Sequence, residues 1–227
     1  MSGTDHGRYC VVIPAFNSAK TIGSLVRRIK RQGLPVVVIN DGSSDETAPI
    51  ASGEGAVVIS HLRNEGKGRA LRTGFEHALR AQYDGVITMD GDGQHDPAEI
   101  PELIRAGERE HAGMVIGNRM ATTTMPWLRR LVNRALSRIV SAVARQPIPD
   151  SQSGFRLIRK ELLGSLSLTS RRFEIETELL LAAAKRRWKL VFVPVRTTYD
   201  NHRSHVRPVR DGFRFFGIVL RYLGHHR

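Results

Sequence analysis

Five short β-branched runs, Tyr9–Pro14, Pro35–Asn40, Ala56–His61, Gly85–Asp90 and Gly113–Asn118, punctuate the first half of the chain. Each has the length of a strand and is too apolar to keep one face in water, which predicts parallel strands in the centre of a sheet. Between them apolar residues return at helical spacing: Ile22, Leu25, Val26 and Ile29, then Leu71, Phe75, Ala78 and Leu79, then Ile100, Leu103 and Ile104. Strand alternating with helix predicts an α/β fold, a mostly parallel twisted sheet with helices on both faces. Polar residues gather where the runs end, and open α/β sheets bind ligands at those C-terminal ends. Helix starts agree with this reading. Asp96-Pro97 supplies a cap followed by proline, and Ser44-Asp45-Glu46 puts carboxylates where the helix dipole favours them.

The rhythm changes after Arg119. Residues 126–145 place Leu128, Leu131, Val132, Ala135, Leu136, Ile139, Val140 and Val143 on one helical face, with Arg130, Arg134 and Arg138 as a basic stripe. Such a helix suits the plane of a membrane interface, or it packs on the core and leaves its arginines in water. A second helical pattern, Phe173–Arg186, leads to a strand over Leu190–Val195. The tail Phe213–Leu223 is apolar with arginines interspersed and covers the core or touches lipid. At 227 residues one domain is expected over 1–227, with a ligand-binding half at 1–120 and a second half at 121–227.

No stretch approaches the roughly 18–20 apolar residues of a bilayer span, and the polar start MSGTDHGR lacks a secretory core. A cytoplasmic location is expected, with peripheral contact at the inner membrane face. The single cysteine, Cys10, lies in an apolar run and reads as a buried hydrophobe. A net charge of +13, concentrated as arginine beyond Arg119, calls for an anionic partner. A nucleic-acid module would interleave aromatic platforms with its arginines, and the 6% of aromatic residues here do not, so nucleic acid is not expected as a partner. A scaffold without chemistry would have no use for the acidic turn described next.

Met89-Asp90-Gly91-Asp92-Gly93-Gln94-His95 follows an apolar strand directly and presents two carboxylates and an amide at its end. Hard oxygen ligands of this kind, Asp90, Asp92 and Gln94, suit Mg²⁺ or Mn²⁺, which can bridge a diphosphate and stabilise it as a leaving group. A second acidic turn, Asn40-Asp41-Gly42-Ser43-Ser44-Asp45, ends another strand, where Asp41 can accept hydrogen bonds from a base or ribose, or simply serve the turn and helix start. Asn64-Glu65-Gly66-Lys67-Gly68-Arg69 resembles an anion loop but lacks the spacing of an ATPase or dinucleotide fingerprint. His95, His202, His205, His225 and His226 do not have zinc spacing and are not assigned to metal.

Taken in order, Val12-Ile13-Pro14-Ala15-Phe16-Asn17, the two acidic turns, Asn64-Glu65-Gly66-Lys67-Gly68, Gly117-Asn118-Arg119 and Asp150-Ser151-Gln152-Ser153-Gly154-Phe155-Arg156 resemble glycosyltransferase family 2 over nearly the whole chain, most closely its dolichyl-phosphate mannose synthase-like members. The resemblance implies a GT-A type fold. It places Pro14, Ala15, Asn17 and Asp41 around a nucleotide-sugar, with Lys67, Asp90, Gly91 and the late Arg203 completing that set, and Asp90, Asp92 and Gln94 at the metal. It gives Arg119, Arg129 and Arg134 to an acceptor phosphate, and Asp92, Asp150 and Arg119 to the chemistry. Asn133 stands where the family pattern carries a serine, and Ser18 follows Asn17 where it carries glutamate.

The expected reaction is inverting transfer of a hexosyl unit, mannose or glucose, from a nucleotide-diphosphate sugar such as GDP-mannose to a polyprenyl phosphate. That acceptor, with a second pKa of about 6, is already ionised and needs positioning rather than deprotonation. Transfer to a saccharide or protein hydroxyl would need a general base, for which Asp150 is the candidate. Glu174, Glu176 and Glu178 can steady Arg156 or line the sugar pocket, and are expected as structural ion pairs. Lipid would be reached through the basic helix, the tail or a separate membrane-anchoring protein.

Overall fold

A computed structural model describes residues 8–121, 125–197 and 208–224. In chain order the elements are β1 (Tyr9–Ala15), α1 (Ala19–Lys30), β2 (Val36–Asn40), α2 (Thr47–Gly53), β3 (Val57–Ser60), α3 (Lys67–Arg80), β4 (Gly85–Thr88), α4 (Ile100–Arg109), β5 (Met114–Asn118), α5 (Trp127–Ala144), β6 (Arg156–Arg159), α6 (Lys160–Ser165), α7 (Ile175–Lys185), β7 (Leu190–Pro194) and α8 (Pro208–Gly224). The strands form one sheet in the order β3-β2-β1-β4-β6-β5-β7, parallel except for β6, which runs antiparallel to both neighbours.

The all-apolar strands sit in the middle because both their faces are covered. Ile22, Val26 and Ile29 of α1, Ala51 of α2 and Ile100 and Leu103 of α4 close one side, against Val11, Ile13 and Ile87. Leu71 and Phe75 of α3, Val140 of α5, Leu179 of α7 and Phe215 of α8 close the other. Packing on both faces makes the sheet a sandwich filling rather than a wall. Asp96 accepts a hydrogen bond from Ala98 N at 2.9 Å and starts a short 3₁₀ turn that feeds α4.

Two expectations change. The run Ala56–His61 is the edge strand β3, not a central one, and Val57 is 51% exposed. Composition does not separate the two, since β3 differs from β2 only in having no further strand to pair with. The helix over residues 126–145 does not bury its apolar stripe evenly. Val140 and Val143 pack inward, but in the first half the buried side chains are Asn133 and Ser137, while Trp127, Leu128, Leu131 and Val132 face outward. The polar pair has partners in the interior, and meeting them turns the apolar residues out. The tail divides similarly: Phe215, Ile218 and Val219 cover the core, and Phe216, Leu220 and Leu223 are exposed. Among the described residues no helix is long and apolar enough to cross a membrane.

Candidate active site

The C-terminal ends of β1, β2 and β4 converge on one cleft, and hydrogen bonds between their loops fix its shape. Asp41 N donates to Ala15 O at 2.8 Å, joining the second strand end to the first. Asn17 has a left-handed φ of 51°, which lets its N–H reach Ser43 Oγ at 3.0 Å while its own Oδ1 accepts from Ser44 N at 2.9 Å. Pro14, Ala15 and Asn17 thus form one lip of the cleft with the Asn40–Asp45 turn. Ser18 donates its N–H to Thr47 Oγ1 at 2.7 Å.

Asp41 is 3% exposed and already committed to protein donors. Its Oδ1 accepts from Glu65 N at 2.9 Å and lies 2.8 Å from His61 Nδ1, and its Oδ2 accepts from Gly66 N at 2.7 Å. The aspartate therefore ties the loop after β3 to the end of β2. Gly42 permits the crossing: its φ is +69°, and a side-chain carbon there would lie 2.4 Å from the Arg63 carbonyl carbon.

At the end of β4, Thr21 Oγ1 donates to Gly91 O at 2.5 Å and holds the acidic turn down on α1. Asp92, exposed in the mouth of the cleft, accepts from Gln94 N at 3.0 Å, and Gly93 takes a φ of +74° to allow that turn. Desolvation in the cleft, with the charge of Asp90 added, pushes the Asp92 carboxyl above the usual range. Burial pushes Asp90 up as well, but the Lys67 ammonium at 2.5 Å, with help from Arg119, outweighs it and holds the carboxyl low. Lys67 is itself held by Glu176 at 2.5 Å, and the two carboxylates outweigh burial and raise its pKa. Gly154 packs against this pair so closely that a side-chain carbon would sit 2.7 Å from Asp90 Oδ2. His95, 3% exposed, is driven down to about 4 by burial and is neutral, packed against Phe155 with ring centroids 5.2 Å apart and the planes tilted by 36°.

Among the described residues no three His, Cys, Asp or Glu side chains gather as a metal cage. The chain offers two carboxylates on one turn, the Asp90 and Asp92 pair whose mutual repulsion a dication relieves. That is the donor set Mg²⁺ takes when water and phosphate oxygens complete its shell.

A second cluster faces the same cleft from β5, α5 and the turn before β6. Asp150, fully buried, accepts from Arg119 Nε at 2.9 Å and Nη2 at 3.0 Å, from Arg119 N at 3.1 Å, from Asn133 Nδ2 at 2.9 Å and from Gln152 N at 3.2 Å. Burial pushes this carboxyl up, but the Arg119 fork and Asn133 outweigh it and hold it below the ordinary aspartate value. Ser137 accepts from Ser151 N at 2.9 Å, which seats the turn. Arg156, 1% exposed, spends its guanidinium on the carbonyls of Ser153, Glu176 and Ser151 at 2.7, 2.7 and 3.2 Å, locking that turn to the start of α7.

The sequence-derived site residues Pro14, Ala15, Asn17, Asp41, Lys67, Asp90, Gly91, Asp92 and Gln94 meet on the β1–β4 side, and Arg119 and Asp150 on the β5–β6 side. Arg129 and Arg134 point into solvent from α5. Arg130, not singled out for the acceptor, shares the helix face of Asn133 and Ser137, donates to Met120 O at 3.4 Å, and keeps Nε buried without a partner among the described residues. Glu176 forms the structural ion pair expected of it, with Lys67. Its partner Lys67 is 109 positions away, so nothing local announces the pairing. Arg203, like His202, His205, His225 and His226, lies outside the described residues.

The profile described as glycosyl transferase family 2 matches residues 10–166. An uncharacterized protein of Methanocaldococcus jannaschii is 37% identical over 92% of this chain and 90% of its own length. The UDP-N-acetylglucosamine–dolichyl-phosphate N-acetylglucosaminyltransferase of Methanococcus voltae is 29% identical over 92% of this chain and 94% of its own. Among solved structures, glucosyl-3-phosphoglycerate synthase from Mycobacterium tuberculosis in complex with UDP superposes with a TM-score of 0.73 at 25% identity, covering 96% of this chain and 80% of that one. The same synthase has been solved with Mn²⁺, UDP-glucose and phosphoglyceric acid, and in that form it superposes with a TM-score of 0.74 at 24% identity, with the same coverage.

Proposed function

Because the chain belongs to glycosyl transferase family 2 and has the GT-A type fold, we propose that it transfers a hexosyl unit from a nucleotide-diphosphate sugar to a polyprenyl phosphate, with inversion. An acceptor phosphate oxygen bonds to the anomeric carbon from one side, the carbon–oxygen bond to the diphosphate breaks on the other, and the nucleoside diphosphate leaves. The observation that carries this reading is the state of Asp150. It is the buried carboxylate best placed to act as a base, and its oxygens are taken by Arg119, Asn133 and Gln152. A hydroxyl acceptor would need that base, whereas a phosphate ionised with a second pKa of about 6 does not.

The donor lies along Pro14, Ala15 and Asn17, with Gly91 and the Asp41-braced loop as its bed. Lys67 stands beside the diphosphate as a fixed positive charge. Asp90 and Asp92, with Gln94 beside them, would hold Mg²⁺ or Mn²⁺, which when bound would supply charge stabilisation to the departing diphosphate. Arg119, oriented by Asp150, and Arg130 on the inward face of α5 position the acceptor phosphate. Arg129 and Arg134 stand further out, where they meet the lipid headgroup layer. The exposed Trp127, Leu128, Leu131 and Val132 on the same helix give the chain a peripheral hold on the bilayer.

Relatives named for UDP-N-acetylglucosamine and UDP favour a uridine donor and add N-acetylglucosamine to mannose and glucose as the sugar. The test is incubation of the purified protein with polyprenyl phosphate and a panel of UDP- and GDP-sugars, with Mg²⁺, with Mn²⁺ or with a chelator, reading glycolipid by mass spectrometry. A metal-dependent glycolipid is expected. Turnover with a soluble hydroxyl acceptor and none with the lipid would sink the reading.

A further inference from the structure

On the far side of the loop after β3 a cavity of about 780 Å³ opens between that loop, the turn before α7 and one face of α8. Arg63, Arg171, Arg172, Arg214 and Arg221 line it. One oxygen of each of the two carboxylates in its wall is engaged, and Glu174 Oε2 is buried without a partner among the described residues. Glu65 lies 3.6 Å from Arg69, and Glu174 accepts from the N–H groups of Arg171 and Arg172 at 3.3 Å each. Among the described residues, the side chains of Arg63, Arg171 and Arg172 form no ion pair or hydrogen bond.

The floor is rigid. Glu178, 1% exposed, accepts from Thr169 N at 3.0 Å, Thr169 Oγ1 at 2.9 Å and Ser170 N at 2.9 Å, so a buried carboxylate holds the turn in place. Arg221 reaches the same turn through Thr169 Oγ1 at 2.6 Å. Ser170 is 4% exposed, lines the cavity, and keeps its Oγ without a partner among the described residues. A buried hydroxyl left unpaired costs free energy that an entering acceptor atom would recover. Guanidinium groups lining the same cavity as this hydroxyl match the oxygens of a phosphate group.

We propose that this cavity is a second anion site that binds a phosphate-bearing molecule, separate from the cleft holding the donor and the acceptor phosphate. Its volume leaves room for an organic body beside the phosphate, so the ligand is either a soluble organophosphate or the headgroup of an anionic lipid. The second source has a route to the site, since the exposed Phe216, Leu220 and Leu223 lie on the same helix as Arg214 and Arg221.

Calorimetric titration of inorganic pyrophosphate in metal-free buffer tests it, on the full chain and on Arg171→Gln/Arg172→Gln, Ser170→Ala and Arg130→Gln, each checked for folding by circular dichroism. The double variant is expected to bind about tenfold more weakly or worse, Ser170→Ala to bind measurably more weakly, and Arg130→Gln to bind as the parent does. Unchanged affinity in the double variant overturns the site. If the double variant does not fold, unchanged affinity in Ser170→Ala does the same. Loss in Arg130→Gln alone also overturns it, placing the anion at the acceptor position. Co-sedimentation with phosphatidylcholine vesicles, with and without phosphatidylglycerol, then separates the sources. A phosphatidylglycerol-dependent binding that falls in Arg171→Gln/Arg172→Gln identifies lipid, and equal sedimentation of parent and variant identifies a soluble phosphate compound.

Discussion

Arg119 grips Asp150 with two prongs, Nε to Oδ2 at 2.9 Å and Nη2 to Oδ1 at 3.0 Å, across 31 positions of sequence. Two of the five N–H donors of the guanidinium are spent on this carboxylate, which fixes the plane of the group where the acceptor phosphate is proposed to arrive.

Asp150→Asn leaves Arg119 largely buried beside a neutral amide, an uncompensated charge that costs about 3 kcal/mol in urea unfolding. With Asp150 as a positioning residue, the variant raises the KM for the acceptor and leaves the shape of the pH–rate profile intact. Loss of the acidic limb of that profile would instead identify Asp150 as a base.

Stability toward acid follows from the same pair. The folded Asp150 carboxyl titrates below its unfolded value of about 3.9, so its contribution is fully present above that value and is lost as pH falls through the lower folded one. The stability difference between the parent and Asp150→Asn should hold constant from about pH 7 to about pH 5 and shrink below about pH 4. Urea titrations at successive pH values measure it, and a difference that persists undiminished into acid would contradict the assignment.

Gly154→Ala places a methyl group 2.7 Å from Asp90 Oδ2 and 3.0 Å from Lys67 Nζ. Both neighbours are side-chain ends that can move, so the fold survives and the acidic turn shifts. Donor and Mn²⁺ affinity by calorimetry should each fall by about tenfold, with a melting temperature within a few degrees of the parent.

Cys10 is fully buried in β1, and burial pushes its thiol up to about 12. The thiolate is therefore scarce and shielded near neutral pH. A disulfide reagent such as DTNB should leave the native protein unmodified and titrate one thiol once urea unfolds it. Rapid labelling of the native chain would show that β1 opens locally.

Leu131 and Val132 are 58% and 51% exposed on α5. Leu131→Glu/Val132→Glu should leave urea stability within about 0.5 kcal/mol of the parent while reducing sedimentation with lipid vesicles. Unchanged sedimentation would remove this face from the membrane contact.

What the sequence by itself determined was local. Apolar runs of strand length, helical spacing of Ile22, Leu25, Val26 and Ile29, and the glycine-bearing turns at Asp41 and Asp90 depend on neighbours within a few residues, and they place the candidate cleft at strand ends. The edge position of β3, the antiparallel insertion of β6 between β4 and β5, and the outward turn of the apolar residues on α5 were decided only in three dimensions. The same holds for the partners of the charged groups. Lys67 takes Glu176 across 109 residues, and Asn133 serves Asp150 across 17. A buried charge accepts whichever opposite group the packing brings within about 3 Å, and that choice depends on distances in space that spacing along the chain does not encode.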